Sequence, residues 1–171
     1  MSSALPPKPR ALGRKFRICI VASKYNETFT DALVENAVEE LAELVPNGRV
    51  DLIRVPGAFE IPVTVSAIIE NERPACVIAL GLIIRGATQH GDLVGQSVSQ
   101  ALQQVAIQTN CPIIHEVLLV DDEKQAYARC IGDELNRGKE AARAAAVMLE
   151  VFHEIERSTT RNPIRTTTRN A

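Results

Sequence analysis

Apolar and polar positions along this chain alternate between two rhythms. Short, nearly unbroken apolar runs end in turn residues. Each is followed by a stretch whose apolar residues recur every three or four positions. The first pattern reads as a strand buried on both faces, the second as an amphipathic helix. Phe16 to Ala22 is the first strand, closed by the loop Ser23-Lys24-Tyr25-Asn26. A helix over about Thr28 to Leu44 carries Phe29, Leu33, Ala37, Leu41 and Leu44 on one stripe, and Pro46-Asn47-Gly48 breaks it. Val50 to Val55 is a second strand, Pro56-Gly57 a turn, and about Glu60 to Asn71 a helix. Val77 to Ile84 is the most apolar run; it breaks at Arg85-Gly86-Ala87-Thr88 and leads into a helix from about Asp92, with Val94, Val98, Ala101, Leu102 and Val105 at helical spacing. Cys111-Pro112 opens a fourth strand, Ile113 to Val120, and Asp121-Asp122-Glu123 caps a short helix to about Ile131. After Asn136-Arg137-Gly138, an alanine-rich helix runs from about Lys139 to Ile155. Strands alternating with helices predict an α/β fold of three layers, α/β/α, around a four-stranded parallel sheet.

Charge changes the picture at the ends. The 171 residues carry 19 basic and 21 acidic side chains, a formal net charge of -2. The first 17 and last 15 residues hold several of the basic groups and no acid, so the body between them is strongly acidic. Neither end has a periodic apolar pattern. Residues 1–15 and 157–171 are therefore expected as disordered basic tails flanking one domain, 16–156. With no Trp and few aromatic residues, the chain lacks a base-stacking surface, and no nucleic-acid partner is expected. No apolar run is long enough to span a bilayer and no signal peptide precedes the body, so no membrane partner and a cytoplasmic location are expected. Cys19, Cys76, Cys111 and Cys130 form no CxxC pair, and His90, His115 and His153 lie at no ligand spacing from them. Cys19 and Cys76, inside apolar runs, read as small buried residues in a reducing setting, and no metal site is expected.

In a parallel sheet, ligands bind beyond the carboxyl ends of the strands. That edge gathers three loops: Tyr25-Asn26, Pro56 to Glu60, and Arg85 to His90. Together they hold two rings, a carboxylate, a cation, a helix start able to seat an anion, and a histidine able to move protons near neutrality. Phe59 reads equally well as core, Glu60 as a helix-dipole partner and His90 as a surface histidine. These residue types alone indicate a phosphate-handling α/β enzyme.

The segments VPGAFEIP (Val55 to Pro62), GLIIRGATQH (Gly81 to His90), Tyr25-Asn26 and EKQAYAR (Glu123 to Arg129) resemble the lumazine synthase family, with the elements in order over about Phe16 to Val151. The resemblance implies a flavodoxin-like fold. It also implies condensation of 5-amino-6-ribitylaminouracil with 3,4-dihydroxy-2-butanone 4-phosphate to 6,7-dimethyl-8-ribityllumazine, without metal or organic cofactor. His90 would carry the proton. Tyr25 would stack on the pyrimidine, with Asn26 supporting its loop. Ala58, Phe59 and Glu60 would hold the ribityl chain and ring, and Leu82, Ile83 and Ile84 would offer backbone groups to the pyrimidine edge. Ala87 and Thr88 would seat the phosphate, with Arg129 as its cation. The site would lie between neighbours in a homopentamer, the neighbour supplying His115 and Arg129.

The chain departs from the family in places. His115 stands where an aromatic residue is usual, followed by Glu116 for glycine. Gly91 and Leu93 replace aromatic residues. Asp133 replaces a frequent lysine, and Arg137, a further substrate-binding candidate, replaces the lysine of an Asn-Lys-Gly turn. His115 and Glu116 favour the alternative, a non-catalytic paralogue that binds a flavin-like ring or builds a shell. Retention of His90 and Arg129 favours the enzyme. The compact turn from Arg129 to Gly138 favours extension to a sixty-subunit icosahedral shell, while Pro6, Pro7 and Pro9 oppose the strand pairing it would use. The resemblance also brings riboflavin synthase into view as a partner.

Overall fold

Two strands are apolar on both faces, and they take the centre of the sheet. The computed structural model describes residues 4–161. β1 (Arg17–Ser23) and β3 (Cys76–Ile84) lie side by side, buried along almost their whole length. β2 (Arg49–Val55) and β4 (Ile113–Val120) contain polar residues and form the edges. The order is β2-β1-β3-β4, every pair parallel. This is the order of the first four strands of a flavodoxin-like sheet.

Alternation along the strands builds two cores. Ile18, Ile20, Ile78 and Leu80 face one side, where they meet α1 (Glu27–Leu44), α4 (Glu123–Cys130) and α5 (Arg137–Arg161). Cys19, Val21, Val77 and Ala79 face the other, against α2 (Ile61–Glu72) and α3 (His90–Thr109). The three layers expected from the sequence are therefore present. α5 approaches α1 closely because its inner face is alanine: Ala141, Ala142, Ala145 and Ala146 are buried against Leu33, Ala37 and Leu41. Gly138 comes nearest, and a Cβ placed on it would lie 2.5 Å from the Leu33 carbonyl oxygen.

Several boundaries differ from the sequence reading. α3 begins at His90 rather than near Asp92. α5 starts at Arg137, because the Asn136 side chain caps it by accepting the Lys139 N–H at 3.0 Å, and it runs past Ile155 to Arg161. Residues 4–15, expected as part of a disordered tail, lie on the body. Leu12 N–H donates to the Leu44 carbonyl at 2.7 Å, and Asn47 Nδ2 donates to the Gly13 carbonyl at 3.0 Å. The cause is Glu40, a carboxylate only 6% exposed on α1. A buried carboxylate needs cations. Arg143 of α5 supplies one at 2.7 Å, and Lys8 reaches over at 3.8 Å while bonding Glu43. Arg143 also donates to the Pro6 carbonyl, which pins the segment. Residues 1–3 and 162–171, the rest of both expected tails, lie outside the described residues. Among the described residues, no helix is long and apolar enough to cross a membrane.

Candidate active site

At the carboxyl ends of β1, β2 and β3 opens a pocket of 360 Å³, lined by Tyr25, Asn26, Gly57, Ala58, Phe59, Glu60, Leu82, Ile83, Ile84, His90, Gly91 and Val94. The β1–α1 loop is tied in place by backbone and side chain together. Tyr25 N–H donates to the Pro56 carbonyl at 3.2 Å. Asn26 adopts the left-handed region, with φ 58°, and its Nδ2 donates to the Leu82 carbonyl at 2.9 Å. Left-handed backbone is tolerated best by Gly and Asn, so this residue shapes the loop and clamps it to β3 at once. The chain after β2 forms a single 3-10 turn, Ala58–Glu60, in which Glu60 Oε2 accepts the Gly57 N–H at 2.9 Å. Tyr25 and Phe59 are 71% and 62% exposed, so two large rings stand at the rim without cover from their own chain.

His90 is the first residue of α3, with Gln89 as the cap, so the imidazole stands at the positive pole of a 20-residue helix. Ala87 and Thr88 precede it, exposed, in the β3–α3 loop. Arg85, the cation of this loop, is committed elsewhere. Its guanidinium bonds Asp92 Oδ1, with Nε at 3.0 Å, and also Asp121. The two hydrogen-bonded carboxylates hold the Arg85 pKa above its usual range. Asp121 is lowered in turn, chiefly by the Gln125 amide and then by Arg85. Freeing Arg85 for a phosphate would leave two carboxylates without their cation.

The remaining candidates are not brought to this pocket by their own chain. Arg129 lies in the last turn of α4, on the other side of the sheet, its Nη1 donating to the Gln125 carbonyl at 3.2 Å. His115 lies mid-way along the edge strand β4, opposite Ala79. Arg137 is 9% exposed at the start of α5 and ion-paired to Glu140. Glu116, next to His115 but facing the α5 side, is pushed up to about 7 by burial, against the opposing pull of Arg137.

The sequence profile of 6,7-dimethyl-8-ribityllumazine synthase matches residues 15–153. The chain belongs to this family. Curated relatives of that name include one from Coxiella burnetii, 37% identical over 82% of this chain and 94% of its own length. One from Xylella fastidiosa is 37% identical over 81% of this chain and 91% of its own, and one from Polaromonas sp. is 38% identical over 84% and 91%. Among solved structures, a GDP-L-fucose synthetase from Naegleria fowleri overlays 94% of this chain and 50% of its own at 13% identity. Its TM-score of 0.41 is too low to carry an argument.

Beyond the residues read from the sequence as catalytic or substrate-binding, the pocket adds three. Gly57 is required by the close approach of Tyr25 and Glu60. Gly91 sits where a Cβ would meet Ile83 at 3.3 Å, and Val94 is one turn of α3 beyond His90. The signal for Val94 was the i, i+4 spacing from His90, which reads equally as core. A larger cavity, of 610 Å³, lies at the opposite, amino end of the sheet, among Arg14, Glu70, Arg73, Phe152, His153 and Glu156. It mixes both signs of charge, lies against the carbonyl ends of α2 and α3, and holds none of the lumazine synthase motif residues. The cysteines are all buried, and burial raises the Cys111 and Cys130 thiols to about 11 and about 12, which leaves them unreactive.

Proposed function

We propose that this chain works as a lumazine synthase whose active site is completed by a second copy of itself. Family membership carries the activity: formation of 6,7-dimethyl-8-ribityllumazine in riboflavin biosynthesis, from 5-amino-6-ribitylaminouracil and 3,4-dihydroxy-2-butanone 4-phosphate. The observation that carries the shared site is the charge of the pocket. Among the described residues no Lys or Arg lines it, and Arg85 beside it is held by Asp92 and Asp121. A substrate phosphate in a low-dielectric pocket needs a cation. Arg129, at the far side of its own sheet, supplies it from a neighbour.

The pyrimidine packs on Tyr25, with its edge toward the backbone of Leu82, Ile83 and Ile84. The carboxylate of Glu60, steadied by Gly57 N–H, accepts hydrogen bonds from ribityl hydroxyls beside Ala58 and Phe59. The phosphate sits at Ala87, Thr88 and the start of α3, where the helix dipole favours it. The primary condensation joins the pyrimidine amine to the ketone as an imine with loss of water. Proton removal from the adjacent carbon then expels phosphate, and attack of the second nitrogen closes the ring with loss of a second water. His90, beside the phosphate seat, takes and returns the protons.

Exposed apolar side chains supply the contact surface. Val63 of α2 and Leu93 and Ile107 of α3 are 68%, 63% and 66% exposed. A ring of copies, each offering β4 and α4 to the next copy's pocket, is a heterologous interface that closes, and a homopentamer is its form here. The shell remains an extension of that ring.

Complementation tests the shared site. His90→Ala and Arg129→Ala proteins, each impaired alone, are co-expressed to form mixed rings. Random mixing places an intact His90 opposite an intact Arg129 at roughly a quarter of the interfaces, and activity returns to that extent. Mixed rings no more active than either parent would mean that both residues act within one copy.

A further inference from the structure

A chain of hydrogen bonds joins α3 to the edge strand β4 beside the proposed subunit contact. His115 Nε2 lies 2.8 Å from Ser99 Oγ. The Ser99 hydroxyl donates its proton to the Gly95 carbonyl at 2.8 Å. On the other side of the ring, His115 Nδ1 accepts the Val117 N–H at 3.3 Å. A serine hydroxyl has one proton to give. Since Gly95 receives it, Ser99 Oγ can only accept from Nε2, and the ring hydrogen sits there. Nδ1 is already an acceptor. The ring is thus a neutral imidazole in one tautomer, held at both nitrogens.

Only its own backbone carbonyl favours the cation, and burial outweighs it. A proton on Nδ1 would set two N–H donors against each other. Burial also lowers the His115 pKa. The elements packed on this side of β4 are β3, whose one titratable group is Cys76, and α3, which has His90 and Asp92. Cys76 is buried with its thiol pushed up, and Asp92 is held by Arg85. Glu116, with Arg137, Glu140 and the short α4, lies across the sheet, since neighbours on a strand point to opposite faces.

We propose that Ser99 is a positioning residue that fixes His115 as a flat, uncharged ring aimed at the pyrimidine in the adjoining copy's pocket. This role rests on the shared-site reading above. An imidazole that switched charge or rotated near neutrality would stack poorly on a heterocycle and would have to be ordered at each binding event. The Ser99 clamp removes both costs in advance and lets a histidine stand where the family uses an aromatic residue.

Solid-state NMR reads the tautomer directly. The full-length protein is labelled with nitrogen-15 in its three histidines and sedimented, and His115 is assigned by comparison with His115→Phe. The wild-type ring shows the neutral Nε2–H pattern, unchanged between about pH 6 and 8, and Ser99→Ala shows mixed tautomers. A cationic or Nδ1–H ring in the wild type overturns the proposal. Steady-state kinetics reads the role. Ser99→Ala raises KM for the pyrimidine substrate by roughly two- to tenfold, the scale of one hydrogen bond, with a smaller change in kcat. Ser99→Thr restores KM. Added to His115→Phe, Ser99→Ala changes nothing more. An equal loss in that background would make Ser99 merely structural and would also overturn the proposal. An unchanged pyrimidine KM in His115→Ala would remove His115 from the neighbour's pocket. It would end this role of Ser99 even with the tautomer as expected.

Discussion

The ring of Tyr25 lies against Gly57 so closely that a methyl group there would come 3.1 Å from Tyr25 Cδ2 and 3.0 Å from Glu60 Oε2. The glycine thus sets the distance between the Tyr25 ring and the Glu60 carboxylate. Its backbone is extended, with φ −137°, so conformation does not demand glycine; space does. Gly57→Ala should displace the exposed Tyr25 ring at little cost to the fold. KM for the pyrimidine substrate should rise by roughly tenfold, the equivalent of ~1–2 kcal/mol of overpacking. The thermal midpoint should barely move. Kinetics with each substrate varied in turn, alongside a melting curve, separates the two effects.

His90→Ala should lower kcat by roughly a hundred- to ten-thousand-fold, the span of general acid–base groups. The condensation also proceeds slowly unaided, which places the loss toward the lower end. Binding of a ribityl-pyrimidine analogue, followed by calorimetry, should hardly change. A variant with normal turnover would remove His90 from the chemistry.

Glu116 makes stability depend on pH in an unusual direction. Its folded pKa is about 7 against an ordinary 4.5, so the folded protein binds the extra proton. Below about pH 4.5 the group is protonated in both states and contributes nothing. As pH rises toward 7 the unfolded chain ionises first, and stability falls; above 7 the deficit is constant. The full effect is at most about 3 kcal/mol. Glu116→Gln should therefore raise the melting temperature at pH 8 and leave it nearly unchanged at pH 4.5. Equal shifts at both pH values would show that charge is not the cause.

Gly138→Ala drives a methyl group against backbone, where side-chain adjustment cannot help. The obstacles are the Leu33 carbonyl oxygen at 2.5 Å and Asn36 Cβ at 2.9 Å. α5 must then back away from α1. The variant should lose about 1–3 kcal/mol and melt roughly 3–10 °C lower. A calorimetric scan showing an unchanged midpoint would mean that the two helices slide apart without cost.

What the sequence made legible was local. β4 lies where the apolar run placed it, and β3 is longer by one residue, because continuous apolar runs have no other place than a covered parallel sheet. The N-terminal segment escaped because its anchors are not periodic. They are Lys8 and Arg143 meeting a buried Glu40, a cluster drawn from three distant parts of the chain. The pairing of Arg85 escaped for a similar reason: one of its two carboxylates, Asp121, follows β4 and becomes its neighbour only once the sheet has formed. The clamp of Ser99 on His115 joins a helix to a strand and has no signature in spacing. The loops of the pocket were visible from the rule about strand ends, whereas Arg129, the cation proposed for the phosphate, lies on a part of the chain that folds away from its own pocket.

The strand order has a consequence for how the chain is made. β1 emerges from the ribosome first yet sits inside the sheet, with Ile18 paired to both Val50 and Cys76. Parallel partners cannot be joined by a tight hairpin. The segment RICIVAS therefore has no native strand partner until β2 is synthesised, and keeps one open edge until β3 follows. Such late, non-local pairing slows folding and exposes sticky backbone in the interval. The time a ribosome spends between codons 24 and 84 sets the length of that interval. Slowing translation there should cost soluble yield, and a nascent-chain chaperone that covers one short apolar segment should restore it.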